Sequence, residues 1–198
     1  PAALSSLALW LDASDTSTIT KDGSNKISQW SDKSGNNKHA TQSTASSKPT
    51  YKPSDSILSN KGSVSSPSSN GSIGLELPSA TLQEIFVIAY YKNGTDNTFD
   101  VYSTLLSGPG SYGIHRIMGT ENSAAWIGSS NFNNGGSFKN GASSSSSTAL
   151  PMPATLLRFT SNSARTETRG ILYNTQYTNR GWIGGIGELI GLSVTSSS

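Results

Sequence analysis

The stretch Ile85-Phe-Val-Ile-Ala-Tyr-Tyr91 is the longest apolar run in the chain, and Asn93-Gly94 follows it with a turn signal. β-Branched and aromatic residues dominate the run, and these residue types favour strands. A run this short, ended by a turn, is typical of a strand rather than a helix. We therefore predict a strand that is buried on both faces. The run is far below the roughly 18 apolar residues of a membrane span, so we expect no membrane insertion.

The rest of the chain alternates short apolar segments with turn residues in the same way. Leu75-Glu-Leu77 ends at Pro78 and predicts a short strand of its own, before a strand over Leu82 to Tyr91. Further strands are predicted at Leu7–Leu11, Ile27–Trp30, Val101–Leu106, Tyr112–Met118, Ala124–Gly128, Thr155–Thr160, Arg169–Tyr173 and Ile186–Val194. About ten short strands without a helical pattern indicate an all-β fold, an antiparallel β-sandwich. No linker or repeat interrupts the pattern, so we expect a single domain over residues 1–198.

Two polar segments are predicted to lie outside the strands. Residues 41–73 are rich in Ser, Pro, Asn and Lys, which predicts a long surface excursion with short strands at most near Tyr51 and Ile57-Leu58. Residues 143–147 are five consecutive serines, which predicts a loop tip.

Composition excludes several classes of function. The 198 residues include 39 Ser and 20 Gly, and only 13% are charged, which is about half the usual share. The formal net charge of +2 comes from 14 basic and 12 acidic residues. Because the basic residues are scattered, we expect no nucleic acid partner. The absence of cysteine excludes disulfides, thiolate catalysis and cysteine-based zinc sites, and two histidines argue against a histidine-rich metal site.

Two motifs near the ends of the chain carry a resemblance to a known superfamily. Leu9-Trp-Leu-Asp-Ala-Ser-Asp15 continues to Ile27-Ser-Gln-Trp-Ser-Asp-Lys-Ser-Gly-Asn36, and Trp182-Ile-Gly-Gly-Ile-Gly-Glu188 closes the pattern. Together with Phe138-Lys-Asn-Gly141, they resemble concanavalin A-like lectin/glucanase domains of the laminin-G-like type. The resemblance implies a jelly roll of two curved antiparallel sheets, with Trp10 and Trp30 buried in its core. Such domains occur in bacterial surface proteins and phage virion proteins, so we expect an extracellular or virion-surface location.

The acidic residues do not predict catalysis. Glucanases need two carboxylates close together, one as nucleophile and one as acid/base. Alternate Glu and Asp on one strand would provide them, because alternate residues share a face. This chain has no such pattern: Glu188 stands alone, and Asp12 and Asp15 adjoin a turn where they suit capping. We expect no enzyme activity, although a hydrolase remains a third possibility if two carboxylates face one cleft.

Aromatic residues beside turns are the candidates for a binding surface. Trp126, Trp182 and Tyr112 are the candidate rings, and Asn131 and Asn133 are the candidate polar partners. Sugars bind by stacking their C–H faces on exposed rings and by hydrogen bonds to amides and carboxylates. Ordinary packing in the core is the alternative for each ring.

Asp32, Ser34 and Asn36 place oxygen atoms at alternate positions in a polar loop. Calcium takes six to eight oxygen ligands, and the resemblance implies that calcium is possible at a sheet rim. The alternative is a turn in which these side chains bond to their own backbone. No cofactor is required by this sequence.

These observations predict a non-catalytic, lectin-like module that binds a glycan or cell-surface polysaccharide. The alternative is a structural decoration or scaffold subunit of a phage capsid or tail, which would bind neighbouring virion subunits rather than sugar.

Overall fold

A computed structural model describes residues 4–67, 73–97, 103–108, 117–119, 126–128, 135–144, 150–175, 177 and 179–195. These residues form strands, short turns and three single-turn 3-10 segments, and the pairings between the strands are antiparallel. The prediction of an all-β fold is confirmed. No helix in these ranges is long and apolar enough to cross a membrane.

Fourteen strands lie in the described part of the chain. In chain order they are β1 (Leu7–Asp12), β2 (Ile19–Lys21), β3 (Ile27–Trp30), β4 (Ala40–Thr41), β5 (Thr50–Asp55), β6 (Lys61–Ser66), β7 (Leu75–Tyr91), β8 (Ser103–Ser107), β9 (Ile117–Gly119), β10 (Trp126–Gly128), β11 (Gly136–Lys139), β12 (Ala142–Ser143), β13 (Thr155–Ile171) and β14 (Gly184–Leu192).

The two longest strands, β7 and β13, pair with each other twice and so contribute to two layers. Residues 75–82 of β7 pair with residues 165–171 of β13, and residues 84–89 pair with residues 155–160 after a break in register. The first layer has the order β2-β3-β4-β7-β13-β8-β9-β10. The second layer has the order β5-β6-β14-β7-β13-β11-β12, with β1 also paired to β14.

One hydrophobic core lies between these layers. Trp30 and Ala40 come from the first layer, and Leu9, Leu11 and Val64 come from the second, yet all five belong to a single buried cluster. Side chains on one face of a strand alternate with those on the other, so each layer supplies every second residue to this core. The arrangement is that of a β-sandwich.

Four predicted strands turn out to be the two ends of β7 and of β13. The chain continues as a strand through Pro78, and Pro is tolerated there because the strand changes register beside it. The strands predicted at Thr155–Thr160 and Arg169–Tyr173 are likewise joined within β13. Sequence patterns missed this continuity because polar residues occupy the bends between the paired stretches.

The prediction of a surface excursion over residues 41–73 is wrong for the part that the structure describes, residues 41–67 and 73, although the short strand predicted near Tyr51 is present in β5. The segment contains β5 and β6, which form one end of the second layer, and Tyr51 and Val64 lie in the core at 2% and 0% exposure. The many serines are misleading because Ser63, Ser65 and Ser66 are buried within β6. Ile57-Leu58 lies in a 3-10 turn, Ser56–Leu58, rather than in a strand.

The opposite orientations of two adjacent leucines in β13 give the first prediction. Leu157 is 2% exposed in the core, whereas Leu156 is 41% exposed on the outer side of the second layer. Leu157→Ala should lower the free energy of unfolding by about 2–5 kcal/mol, because it removes buried methyl groups and leaves a cavity. Leu156→Ala is the matched control and should change it by about 0.5 kcal/mol. Urea unfolding measures both changes. Equal losses of unfolding free energy would contradict the assignment of Leu157 to the core and of Leu156 to the outer side of β13.

Candidate functional site

The outer side of β7 is only half covered. Ile85, Val87 and Ala89 face the core and are 0–1% exposed, while Phe86 and Ile88 face outward and are half-buried. The expectation that this strand is buried on both faces is therefore wrong for its outer side. Apolar side chains of this size therefore remain accessible on that side of the strand.

The register of five strands extends this outer surface into a row. Trp10 lies opposite Ile190, Ile190 opposite Phe86, Phe86 opposite Arg158, and Arg158 opposite Phe138. Residues directly opposite each other in a sheet share a face, so the five side chains lie side by side. Strands are about 4.8 Å apart, and the row therefore spans roughly 19 Å.

A second row runs parallel to the first. Asp12 lies opposite Glu188, Glu188 opposite Ile88, and Ile88 opposite Leu156. We call the two rows together the aromatic face; its members are Trp10, Asp12, Phe86, Ile88, Phe138, Leu156, Arg158, Glu188 and Ile190. The face combines accessible apolar groups with the charged groups of Asp12, Glu188 and Arg158, which is the composition of many ligand sites.

Trp10 belongs to this face and not to the core, so the expectation of a buried Trp10 is wrong. Its indole is half-buried, and Nε1 donates a hydrogen bond to Glu188 Oε1 at 2.8 Å. The ammonium of Lys33 lies 4.4 Å from the ring centroid. A cation at this distance is attracted by the ring quadrupole. The bond and the cation together hold the ring in one orientation.

Lys33 also joins two carboxylates at the edge of the face. Its Nζ lies 2.9 Å from Asp12 Oδ2 and 2.8 Å from Asp15 Oδ2. The bond from Lys33, helped by one from Ser17, lowers the pKa of Asp15 to about 2. Burial opposes the ionisation of Asp12, but bonds from Ser14 and Lys33 outweigh it and lower its pKa. Both carboxylates are therefore ionised at neutral pH.

Arg158 fills the gap between two rings of the first row. Its guanidinium carbon lies 5.8 Å from the Phe86 centroid and 4.7 Å from the Phe138 centroid. Its Nε is paired with Glu84, whose side chain is fully buried beneath it. Because Glu84 balances the charge, Arg158 contributes a flat, stacked surface with hydrogen-bond donors.

A cavity of about 250 Å³ opens beside the second row. Its lining consists of Asp12, Ser14, Leu58, Ser59, Lys61, Gly62, Ile88, Ala154, Gly187 and Glu188. Gly187 is the point where the register between β14 and β7 shifts, and a Cβ there would lie 2.9 Å from Leu58 Cδ1. The glycine therefore lets the turn before β6 pack against the sheet and form one wall.

A buried polar network fixes that turn in place. Asp55, which is 4% exposed, accepts hydrogen bonds from Tyr90 Oη at 2.6 Å, Ser63 Oγ at 2.7 Å and the backbone N–H of Ile57 at 3.1 Å. Burial would raise the pKa of Asp55, but these bonds and the charge of Lys52 lower it. The network anchors the wall of the cavity to the outer side of β7.

Trp182, predicted as a binding residue, lies in the core instead. Its side chain has no exposed area, Nε1 donates to the carbonyl oxygen of Tyr90 at 3.0 Å, and its ring meets the Tyr91 ring edge-on at 4.9 Å between centroids. That prediction is wrong because a ring enclosed on both faces offers no surface to a ligand.

The other predicted binding residues are not brought onto the aromatic face by the described structure. Trp126 begins β10 at the far end of the first layer, and only its backbone is described. Tyr112, Asn131 and Asn133 lie outside the described residues.

Asp32, Ser34 and Asn36 form hydrogen bonds within their own turn and to the backbone of β1. Asp32 Oδ1 accepts from the N–H groups of Trp10 and Ser34, and Oδ2 accepts from Ser34 Oγ and the Lys38 N–H, all at 2.8–3.0 Å. Asn36 Nδ2 donates to the carbonyl oxygen of Leu7 at 3.0 Å. Four donors already occupy the carboxylate, so these contacts favour the turn over the predicted calcium ligand set. In the described ranges no three acidic, histidine or cysteine side chains form a metal-holding group.

Sequence reasoning missed the pairing of Asp12 with Glu188. Trp10 and Glu188 are 178 positions apart, and nothing in either motif alone shows that β1 pairs with β14. The available signal was alternation: Trp10 with Asp12, and Glu188 with Ile190, each occupy one face of a strand. Pairing the two end motifs would have brought these four side chains together.

No protein-family model, curated protein or solved structure matches this chain significantly. The case for a function therefore rests on the residues of the aromatic face.

The lowered pKa values around Lys33 give the second prediction. A carboxyl group whose pKa is lower in the folded than in the unfolded chain stabilises the folded state at a pH above its unfolded pKa. For Asp15 the unfolded pKa is near 3.8 and the folded pKa is about 2, so this stabilisation is lost as the pH falls toward about 2. Lys33→Met should therefore lower the free energy of unfolding at pH 6, and its difference from the wild type should shrink between pH 4 and pH 2.

Lys21→Met is the matched control, because Lys21 Nζ contacts the amide oxygen of Asn25 rather than a carboxylate. Chemical unfolding at each pH measures the differences. A Lys33→Met difference that stays constant down to pH 2 would contradict the ion pairs.

Proposed function

We propose that this chain is a non-catalytic, lectin-like module that binds a glycan across its aromatic face, on an extracellular or virion surface. The single observation that carries the proposal is the row of accessible Trp10, Phe86 and Phe138 rings beside the fixed carboxylates of Asp12 and Glu188.

The row suits the mixed chemistry of a sugar. A pyranose ring has apolar C–H groups on its faces and hydroxyls around its edge, so a binding surface needs flat apolar groups next to hydrogen-bonding groups. Phe138 and Phe86 supply the flat groups, and Arg158 lies between them as a donor whose charge is balanced. The Asp12 and Glu188 carboxylates supply acceptors in the adjoining row.

The polar groups are held in place before any ligand arrives. Lys33 fixes Asp12, Trp10 fixes Glu188, and Glu84 fixes Arg158. Groups that are already ordered lose little conformational entropy on binding, which favours affinity at a surface of modest area.

The same contacts support binding without hydrolysis. A glycosidase needs one carboxyl group that delivers a proton to the leaving oxygen. The bonds to Asp12 stabilise its ionised form, and Glu188 accepts an N–H from Trp10. We assign a proton-donating role to neither group, although the two face one cavity.

A glycan array with single variants tests this function. We expect Phe138→Ala to weaken binding at least tenfold, because it removes one ring and one side of the Arg158 stack. The matched control is Tyr177→Ala, which removes a ring stacked under Arg180 at 4.0 Å, away from the aromatic face. Trp126→Ala tests the surface predicted from the sequence, and repeating the array with a chelator tests for calcium.

Binding that survives Phe138→Ala but is lost in Trp126→Ala would indicate that the ligand binds near β10 in the first layer and not on the aromatic face. A blank array with folded wild-type protein would reject the glycan proposal.

A second function, as a structural subunit, is favoured by two exposed apolar residues. Leu4 and Val194 are 50% and 52% exposed, and they lie at adjacent ends of β1 and β14, where Ser193 N–H bonds to Ser6 O at 2.9 Å. If the chain holds a neighbouring subunit there, the wild type should self-associate or bind virion subunits in sedimentation experiments. Leu4→Ser with Val194→Ser should abolish that association while the chain stays folded.

A further inference from the structure

We infer that the cavity beside Asp12 and Glu188 is the subsite for one terminal sugar unit, and that it selects units without a carboxylate. This inference rests on the proposed glycan-binding function and specifies the sugar class that the aromatic face accepts.

The size and position of the cavity fit a single small unit. Its volume of about 250 Å³ lies just below the roughly 300–1,000 Å³ of pockets that hold drug-sized ligands. The turn that carries Leu58 and Ser59 closes it on one side, and Glu188 separates it from the first row of the aromatic face. A chain that crosses from the first row over Glu188 would therefore place its last unit in the cavity.

Glu188 offers a positioned acceptor to that unit. Trp10 Nε1 donates to its Oε1, and within the described residues this indole is the only side chain or backbone donor to the carboxylate. Oε2 is thus available for a ligand hydroxyl, with the carboxylate plane already set by the indole. A hydrogen bond to an ionised acceptor is stronger than one between neutral groups.

The opposite part of the lining is apolar. Leu58, Ile88 and Ala154 line the cavity together with the backbone of Gly187, which has no side chain to fill it. A sugar unit can therefore lay its C–H face on this apolar part while its edge hydroxyls meet Glu188 and Ser14. The lining matches the two chemical sides of a neutral pyranose.

The charges of the cavity disfavour an anionic unit. Lys33 balances only one of the two carboxylates it bridges, Asp12 and Asp15, and Glu188 adds a further negative charge. Lys61 lies at the exposed rim and forms no ion pair within the described part of the chain; counting its charge together with that of Lys33 still leaves one net negative charge among Asp12, Asp15 and Glu188. A carboxylate placed beside Glu188 and Asp12 would meet like charge, which is an effective means of excluding a wrong ligand.

Calorimetry with three matched pairs of oligosaccharides tests the inference. The probes are maltotetraose, cellotetraose and β-1,4-galactotetraose, each compared with the form in which the primary alcohol of the terminal unit is oxidised to a carboxylate. For the pair that binds, the wild type should prefer the neutral form by tenfold or more. Glu188→Gln should weaken neutral binding about tenfold and reduce the preference to threefold or less.

Two features of the variants make the result specific. The amide oxygen of Gln can still accept the Trp10 N–H, so the indole keeps its partner. Glu76→Gln is the matched control, because Glu76 is exposed on the outer side of the first layer and the substitution changes net charge equally. Glu76→Gln should leave both the affinity and the preference unchanged.

The failures of the two proposals are distinguishable. Neutral binding that weakens in Phe138→Ala but is unaffected by Glu188→Gln would overturn the subsite and leave the glycan function standing. Equal or tighter binding of the oxidised forms by the wild type would also overturn the subsite. Absence of binding to all six probes would overturn the subsite, whereas the glycan function is rejected only if the array with folded wild-type protein is blank as well.

Discussion

The aromatic face depends on the register of β14 between β1 and β7. This register places Glu188 opposite both Asp12 and Ile88, and Ile190 opposite both Trp10 and Phe86. The register shifts at Gly187, where a Cβ would lie 2.9 Å from Leu58 Cδ1 and would displace that side chain. A slip of one residue would turn Glu188 toward the core and Leu189 outward, because strand side chains alternate between faces. The cavity, the two rows and the core thus all depend on the register of β14.

Charged groups on this face are arranged in partly buried pairs. Arg158 covers the buried Glu84, and Lys33 holds Asp12 and Asp15. Such pairs contribute little net stability, because desolvation offsets most of their attraction. They do hold each side chain in one orientation, which matters more for recognition than for folding. The surface therefore presents apolar groups beside charged groups whose orientations are fixed by their partners.

The sequence predicted the fold class, whereas the aromatic face emerged only from the structure, and of the predicted binding residues Trp182 is buried. Ile85–Tyr91 and the short strands around it were sufficient for an all-β sandwich, because strand-favouring residues and turn residues are local signals. Residues 41–73 were misjudged because buried serines in β6 resemble loop residues by composition alone.

The predicted positions of Trp10 and Trp182 were both wrong: Trp10 lies on the outer face, and Trp182 is enclosed in the core. Alternation tells which residues share a face, but only strand pairing tells which face lies inside. The Asp12–Glu188 pair needed the same long-range information.

The most direct test of the account is amide chemical-shift mapping of the chain titrated with the glycan that binds it most tightly. The account predicts that the largest shifts cluster on β14, β7, β13 and β11, at Glu188, Ile190, Phe86, Arg158 and Phe138, with few on the outer side of the first layer. Shifts confined to β8, β9 and β10, the strands at the end of the sheet that carries Trp126, would contradict it. In that case the ligand would bind the opposite layer, and the aromatic face would have another role.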